Sequence, residues 1–171
     1  MKGVVLLYLL LAFTTVWAAD EPGQAQEPIF IESDSLNIDD SKGVSVYRGN
    51  VNFRQGGASL TADELTIYAR QRQEVEKIIA VGSPARFEQL AQKEGEQDSS
   101  GEAKRIEYRA ADGRVILDGD ARFQQGDSYF AGSRVEYDSE KKLVRAGKNV
   151  AGEGRVQIMI QPRSGNGKDA E

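Results

Sequence analysis

The stretch Gly49-Asn50-Val51-Asn52-Phe53 places an alternating segment that ends in an aromatic residue directly behind a glycine. The same arrangement returns in Gly82-Ser83-Pro84-Ala85-Arg86-Phe87 and in Gly119-Asp120-Ala121-Arg122-Phe123. Each of these glycines, and Gly147 as well, follows two apolar residues spaced two apart: Leu36 and Ile38, Leu65 and Ile67, Ile106 and Tyr108, and Val135 and Tyr137. Successive residues of a β-strand point to opposite faces, so these segments predict a repeat protein of stacked β-strands with one apolar face.

Two equal spacings indicate an internal duplication. Gly49 and Leu65 are 16 residues apart, and so are Gly119 and Val135. We predict a polar segment of 12 residues, Gln92 to Ala103, as a surface loop between the two halves.

Other irregularities of the pattern predict turns and bulges. Residues 68–75 are mostly polar and charged, which is typical of a long hairpin turn, and Asp112-Gly113 is a strong signal for a tight hairpin. The apolar residues between Ser59 and Tyr68 do not keep one parity, and Gly82 is one residue further from its aromatic residue than Gly49 and Gly119 are. The first deviation predicts a β-bulge or a corner, and the second predicts a β-bulge.

The amino terminus has the pattern of a secretory signal peptide, which we assign to residues 1–18. Lys2 precedes an apolar stretch from Gly3 to Trp17, and the small residues Ala18 and Ala19 follow. The stretch is shorter than the roughly 20 residues of a membrane-spanning helix, so we expect cleavage and a periplasmic protein, with a retained anchor as the alternative. We expect residues 19–28 to form a flexible leader, 29–161 the domain, and 162–171 a disordered tail.

Composition excludes several classes of function. The chain has no cysteine and no histidine, which removes disulfides, Ser-His-Asp and Cys-His nucleophiles and nearly all zinc sites. Its net charge of −5 argues against a nucleic-acid partner. Asp39-Asp40 and Asp118-Gly119-Asp120 stand at predicted turns, where aspartate is favoured for backbone reasons, although a Ca²⁺ site or a glycosidase carboxylate pair is the alternative. We therefore predict a protein that is not an enzyme and has no cofactor or metal.

Four segments in order carry a resemblance to a known family: Pro28 to Asp34, Tyr47 to Val51, Thr61 to Leu65, and Leu117 to Ala121. Together they resemble the OstA-like family of periplasmic lipopolysaccharide (LPS) transport proteins, over about residues 27–161. The resemblance implies an all-β fold, a twisted open β-jellyroll of many short antiparallel strands. It also implies a carrier that holds the lipid A acyl chains of LPS in its interior and joins end to end into a bridge between the two membranes.

The same resemblance implies the partners. LPS would arrive from an LptC-like inner-membrane partner and leave to an LptD-like outer-membrane partner. These two proteins share the domain, and only the length and signal peptide of the present chain separate it from them. A structural β-repeat scaffold with a packed core is the alternative of a different class.

Inward-facing apolar residues are the candidates for lipid contact, in an interior that we expect to contain an open slot. The resemblance places the equivalents of Ile29, Ile31, Phe87 and Tyr108 along the lipid path, and strand alternation adds the others. The ten candidates are Ile29, Ile31, Val51, Phe53, Ile67, Phe87, Tyr108, Ile116, Phe123 and Ile158. For each residue the alternative is a place in an ordinary core.

Two terminal segments are the candidates for contact between copies. Strand edges are normally protected by charge, proline or bulges, and these two carry little protection. Their residues are Ile29, Phe30, Ile31 and Glu32 at one end and Val156, Gln157, Ile158, Met159 and Ile160 at the other. We expect the two segments to meet between neighbouring molecules in a head-to-tail contact that propagates. The alternative is that each is simply paired inside its own domain.

Overall fold

The computed structural model describes residues 27–70, 74–147 and 155–160, which form one antiparallel sheet of ten strands. The strands are β1 Phe30–Glu32, β2 Ser35–Asp39, β3 Val44–Gln55, β4 Ala58–Arg70, β5 Glu74–Gln89, β6 Ser99–Arg109, β7 Arg114–Gln125, β8 Ser128–Asp138, β9 Leu143–Gly147 and β10 Gln157–Ile160. Neighbours follow the order β1-β3-β4-β5-β6-β7-β8-β10, with β2 also beside β3 and β9 also beside β8. The predicted signal peptide, most of the leader and the tail lie outside the described residues and stay predictions.

Every long strand bends near its middle. Pairing shifts register between Arg48 and Val51 in β3, and comparable shifts interrupt each following pair of strands up to β7 and β8. The backbone at two of these bends is left-handed, at Gly49 and Asn50 in β3 and again at Gly119 and Asp120 in β7. The all-β antiparallel jellyroll is thus confirmed. The short segments expected from the sequence are halves of long bent strands of 11 to 16 residues.

The bends divide the sheet into two halves, which we call arm A and arm B. Arm A consists of residues 30–32, 51–62, 85–103, 121–132 and 157–160, and arm B of residues 35–48, 64–70, 74–81, 105–118 and 134–147. The arms fold onto each other, since the rings of Phe123 in arm A and Tyr137 in arm B lie 5.0 Å apart. Over the described residues the sheet does not close, and its edges are β1 with β2 at one end and β9 with β10 at the other.

Two predicted connections are shorter than expected. The polar turn predicted at 68–75 is too long, because β4 continues to Arg70 and β5 starts at Glu74. The loop predicted at 92–103 is confirmed over 92–98 and is wrong from Ser99 onward, where β6 starts. In both places charged residues belong to strand ends and pair across the sheet, Arg70 with Glu76 and Glu102 with both Arg86 and Arg122. The charged residues at these strand ends therefore belong to the solvent-exposed face of the sheet. The bulges predicted within 59–68 and after Gly82 are confirmed.

The predicted duplication is visible as two equivalent hairpins. The first hairpin, β3 and β4, and the second hairpin, β7 and β8, both begin with a 12-residue strand, and Val44 and Arg114 start them 70 positions apart. Both turn at a left-handed glycine, Gly56 with φ of 56° and Gly126 with φ of 52°. Each position of the first hairpin thus has an equivalent in the second.

Candidate functional site

One unbroken row of residues crosses the interior face of arm A from the first strand of the sheet to the last. Each member stands directly opposite the next across a strand pair, so all of them point to the same face. The members of this aromatic row are Ile31, Phe53, Leu60, Phe87, Gly101, Phe123, Phe130 and Ile158. The row joins residues that are more than a hundred positions apart in the chain into one apolar strip.

Five predicted lipid contacts belong to this row: Ile31, Phe53, Phe87, Phe123 and Ile158. The sequence reasoning missed Leu60 and Phe130. Both stand two residues inside a strand that begins after a glycine-containing turn, at Ala58 behind Gly56-Gly57 and at Ser128 behind Gly126-Asp127. Their directly opposite partners, Phe53 and Phe123, would have identified them once the turn glycines Gly56 and Gly126 set the register.

Two parallel rows line arm B. The first of them, which we call the central row, consists of Leu36, Tyr47, Leu65, Ala80, Ile106, Leu117, Val135 and Ala146. The rim row, one step closer to the tip of the arm, consists of Ile38, Ser45, Ile67, Ile78, Tyr108, Val115, Tyr137 and Val144. Ile67 and Tyr108 of the predicted set lie in the rim row, while Val51 lies buried beside the bend of β3.

Two members of the predicted set are placed differently. Ile116 is on the outer face, because its cross-strand partners are Glu107 and Glu136, and it is buried outside the core cluster. Arginine and glutamate side chains flank it in ion pairs such as Arg114 with Glu136. The run Val115-Ile116-Leu117 is apolar at three successive positions, so alternation alone could not choose the inner ones. Ile29 precedes β1 and is exposed.

The interior between the arms is filled at its centre, so the expected open slot is wrong. Leu65, Leu117 and Val135 are fully buried, and a Cβ added to Gly101 in arm A would lie 2.6 Å from Leu117 Cδ2 in arm B. A cavity of about 280 Å³ lies against arm A, lined mainly by outward-facing residues such as Arg86, and one of about 410 Å³ lies at the bend. Neither of these runs along the interior. Space for a further molecule at this centre requires the arms to move apart.

The two edges of arm A are apolar and accessible. In β10 the exposed fractions are 57% for Ile158 and 67% for Ile160, and Phe30 in β1 is 61% exposed. Each strand pairs on one side only within the described residues, β1 with β3 and β10 with β8. The free side of each strand therefore offers both unpaired backbone groups and apolar side chains.

Hydrogen-bonded aspartates stabilise the two turns that flank the hairpins, the β2–β3 turn before the first hairpin and the β8–β9 turn after the second. In the β2–β3 turn, hydrogen bonds from Lys42 and Ser41 lower the pKa of Asp39 to about 2. In the β8–β9 turn, the Lys141 backbone N–H, 2.9 Å away, and the Lys141 ammonium, 3.0 Å away, hold the pKa of Asp138 below its ordinary value. These carboxylates stabilise turns.

The other candidate carboxylates are also ion-paired. Asp118 lies 3.2 Å from Arg134 Nη1, and Asp120 lies 2.7 Å from Lys104 Nζ. The side chain of Lys104 lowers the pKa of Asp120 through this contact. Among residues 27–70, 74–147 and 155–160, no group of three or more acidic side chains is placed to hold a metal ion. No helix in that part of the chain has the length and apolar character needed to cross a membrane.

Comparisons with known proteins agree with this geometry. A family model described as LptA/(LptD N-terminal domain) LPS transport protein matches residues 30–143. The lipopolysaccharide export system protein LptH of Pseudomonas aeruginosa is 30% identical over 83% of both chains, and the LptA protein of Escherichia coli K12 is 30% identical over 84% of this chain and 77% of that relative. The crystal structure of LptH, described as a periplasmic component of the LPS transport device, aligns with a TM-score of 0.70 and 31% identity, over 80% of this chain and 96% of that one.

Proposed function

Because the chain belongs to the LptA/(LptD N-terminal domain) LPS transport protein family, we propose that its two arms carry LPS with the acyl chains held between them. An acyl chain of about 12 carbons costs on the order of 10 kcal/mol to expose to water, at about 0.8 kcal/mol per CH₂. A carrier that crosses an aqueous compartment must therefore cover it. The observation that carries the proposal is the aromatic row, since it reaches from Ile31 in β1 to Ile158 in β10 without a polar member.

A pair of matched variants tests lipid binding. Tyr108 and Val81 both lie in arm B and are 38% and 41% exposed, but Tyr108 points inward and Val81 outward, beside Arg105. We expect Tyr108→Asp to lose LPS in native mass spectrometry of the purified protein, because it places a charge on the acyl path. Val81→Asp should retain LPS. If the unmodified chain binds no LPS at micromolar concentration, it is a structural scaffold instead.

The strand order supports an end-to-end assembly of copies. Eight strands alternate in direction along the path from β1 to β10, so β1 and β10 run in opposite directions. A second copy related by simple translation would therefore add its β1 to the free side of β10 in an antiparallel pair, and its β2 to β9 in the same way. Such an assembly continues both arms without a break.

Continuity of the aromatic row sets the register of this contact. It places Ile158 of one copy opposite Ile31 of the next, which aligns Met159 with Phe30 on the outer face. The chain contains no cysteine, so Phe30→Cys with Met159→Cys should form intermolecular disulfides on oxidation, whereas Phe30→Cys with Gln157→Cys, two residues out of register, should not. A constant monomer mass in light scattering across a concentration series would contradict the assembly.

The same edges are the proposed contacts for the rest of the pathway. An LptC-like inner-membrane partner delivers LPS at one edge and an LptD-like outer-membrane partner receives it at the other. The chain acts without an enzymatic step of its own, and energy for directional movement comes from a partner. We place it in the periplasm after removal of residues 1–18, so the mass of the protein isolated from a periplasmic fraction should correspond to a chain that starts at Ala19.

A further inference from the structure

The second hairpin holds the two arms together by a contact that the first hairpin lacks. Tyr137 in the rim row of arm B stacks on Phe123 in arm A at 5.0 Å, and its hydroxyl accepts a hydrogen bond of 2.8 Å from the side-chain amide of Gln125 at the tip of arm A. Phe123 in turn contacts the rings of Phe87 and Phe130. Tyr137 thus joins the rim of arm B to the ring cluster of arm A.

The equivalent positions of the first hairpin make no such connection. Ile67 stands where the second hairpin has Tyr137, and it has no polar atom to offer. Gln55 is the equivalent of Gln125, and its amide instead donates to the backbone carbonyl of Glu27 in the leader, at 3.1 Å. One glutamine therefore ties the arms together, and the other ties the leader to the tip of arm A.

Lipid entry requires the arms to separate. Because of this difference, the arms separate less easily at the second hairpin than at the first. Separating the arms at the second hairpin breaks a half-buried hydrogen bond and an aromatic pair, whereas the equivalent residues Ile67 and Gln55 of the first hairpin form neither with each other. We propose that Tyr137 is a positioning residue for LPS passage: it holds the arms closed at the second hairpin, so that acyl chains occupy the first hairpin before they pass the second. This inference rests on the proposed lipid-carrying function.

Distances between arm A and arm B test, without any lipid, whether Tyr137 holds the arms closed at the second hairpin. Nitroxide labels on cysteines at Gln124 and Glu140 span the arms at the second hairpin, and labels at the equivalent Arg54 and Arg70 span them at the first; the four residues are exposed. We expect a narrower distance distribution for the second pair. Tyr137→Phe keeps the ring and removes only the hydroxyl, so it should broaden the second distribution.

Two further variants guard this test. Gln125→Met removes the donor and should reproduce the broadening, while Ile67→Tyr offers Gln55 a partner and should narrow the first distribution. Unchanged distances at the second hairpin in both Tyr137→Phe and Gln125→Met would overturn the proposal.

Photocrosslinking tests the order of lipid occupancy. A benzophenone amino acid placed at Leu60 or at its equivalent Phe130 reports LPS at the first or second hairpin, with LPS below one molecule per chain. We expect crosslinking about fivefold stronger from position 60, the factor that corresponds to about 1 kcal/mol, and near-equal crosslinking in the Tyr137→Phe background. Equal crosslinking without that substitution would overturn the proposal. Absence of crosslinking at both positions would contradict the carrier function, and the label distances would then still decide the closure.

Discussion

The first and second hairpins have the same backbone plan and differ in the side chains that lie between the arms. Both have 12-residue opening strands, bend at a glycine followed by a left-handed Asn50 or Asp120, and turn at a left-handed glycine. The second hairpin adds Tyr137 and Phe130 where the first has Ile67 and Leu60. The two hairpins therefore share the glycines at which the chain bends and turns, while the side chains between the arms differ.

The outer surface shows the same freedom. Arg48 pairs with Glu64 across the first hairpin at 2.7 Å, and at the equivalent place in the second Asp118 pairs with Arg134 at 3.2 Å. The charges have exchanged strands, and the register is the same. Opposite charges face each other at this position in both hairpins, and we infer that the pairing is indifferent to which strand carries which charge.

The largest expected difference lies in the aromatic row. Phe123 is 1% exposed and has three ring partners, whereas Phe53 is 6% exposed and has none among the described residues. We expect Phe123→Ala to cost about 3–5 kcal/mol of unfolding free energy, and Phe53→Ala to cost less by about 1 kcal/mol or more. Urea unfolding of both variants measures this, with the two Phe→Leu variants as controls. Equal losses would mean that the ring cluster adds no stability.

Replacing the glycines at the two bends should produce a smaller difference in stability. Gly49 and Gly119 have φ of 79° and 83°, so alanine is strained by roughly 1 kcal/mol at either site. A Cβ at Gly49 would also lie within 3.0 Å of three side-chain atoms of Asp34, its carboxylate included, whereas at Gly119 it would lie within 3.0 Å of one atom, Lys104 Cβ at 2.9 Å. We expect Gly49→Ala to lower the thermal midpoint more than Gly119→Ala. Asp34→Ala should then rescue part of the loss, and failure of that rescue would assign the whole cost to the backbone.

The flanking turns should differ in their response to acid. Both aspartates have folded pKa values below the unfolded value of about 4, so their contribution is present above that pH and is lost as the pH falls through the folded value, which is about 2 for Asp39. Asp138 is 2% exposed and Asp39 is 35% exposed. The hydrogen bonds lower the pKa of Asp39 to about 2, but solvent screens this exposed ion pair, so Asp138→Asn should flatten the pH dependence of the urea midpoint more than Asp39→Asn does. The reverse ranking would show that burial does not set the strength of these turns.

The smallest effect is expected from the exchanged ion pairs. Arg48→Asp places two negative charges opposite each other and should cost about 0.5–1 kcal/mol. Adding Glu64→Arg recreates the polarity of the second hairpin and should restore stability in thermal unfolding. A double variant no more stable than the single one would contradict the indifference to polarity inferred from the two hairpins.

Much of this fold could be predicted from single residues and their spacing. The alternation around Phe53 and Phe123 indicated β-strands, the parity change within 59–68 and the longer spacing after Gly82 indicated irregular pairing, and the 16-residue spacing indicated a repeat, all of which the structure shows. The antiparallel jellyroll was implied by the family resemblance. Strand lengths were less predictable. The segments around Arg70 and Glu102 looked like loops because charge on one strand gives no sign of the opposite charge that faces it on the next.

The amino-acid sequence by itself determined which residues alternate and that no cysteine or histidine chemistry is available, because these follow from local backbone geometry and composition. The tertiary structure alone decided that Ile116 points outward and that distant residues such as Ile31 and Ile158 belong to one row. It also decided that Tyr137 of arm B contacts Gln125 of arm A. The physical reason is that facing and contact depend on register between strands, and on the folding of one arm over the other. Neither is encoded in the order of residues within a single strand.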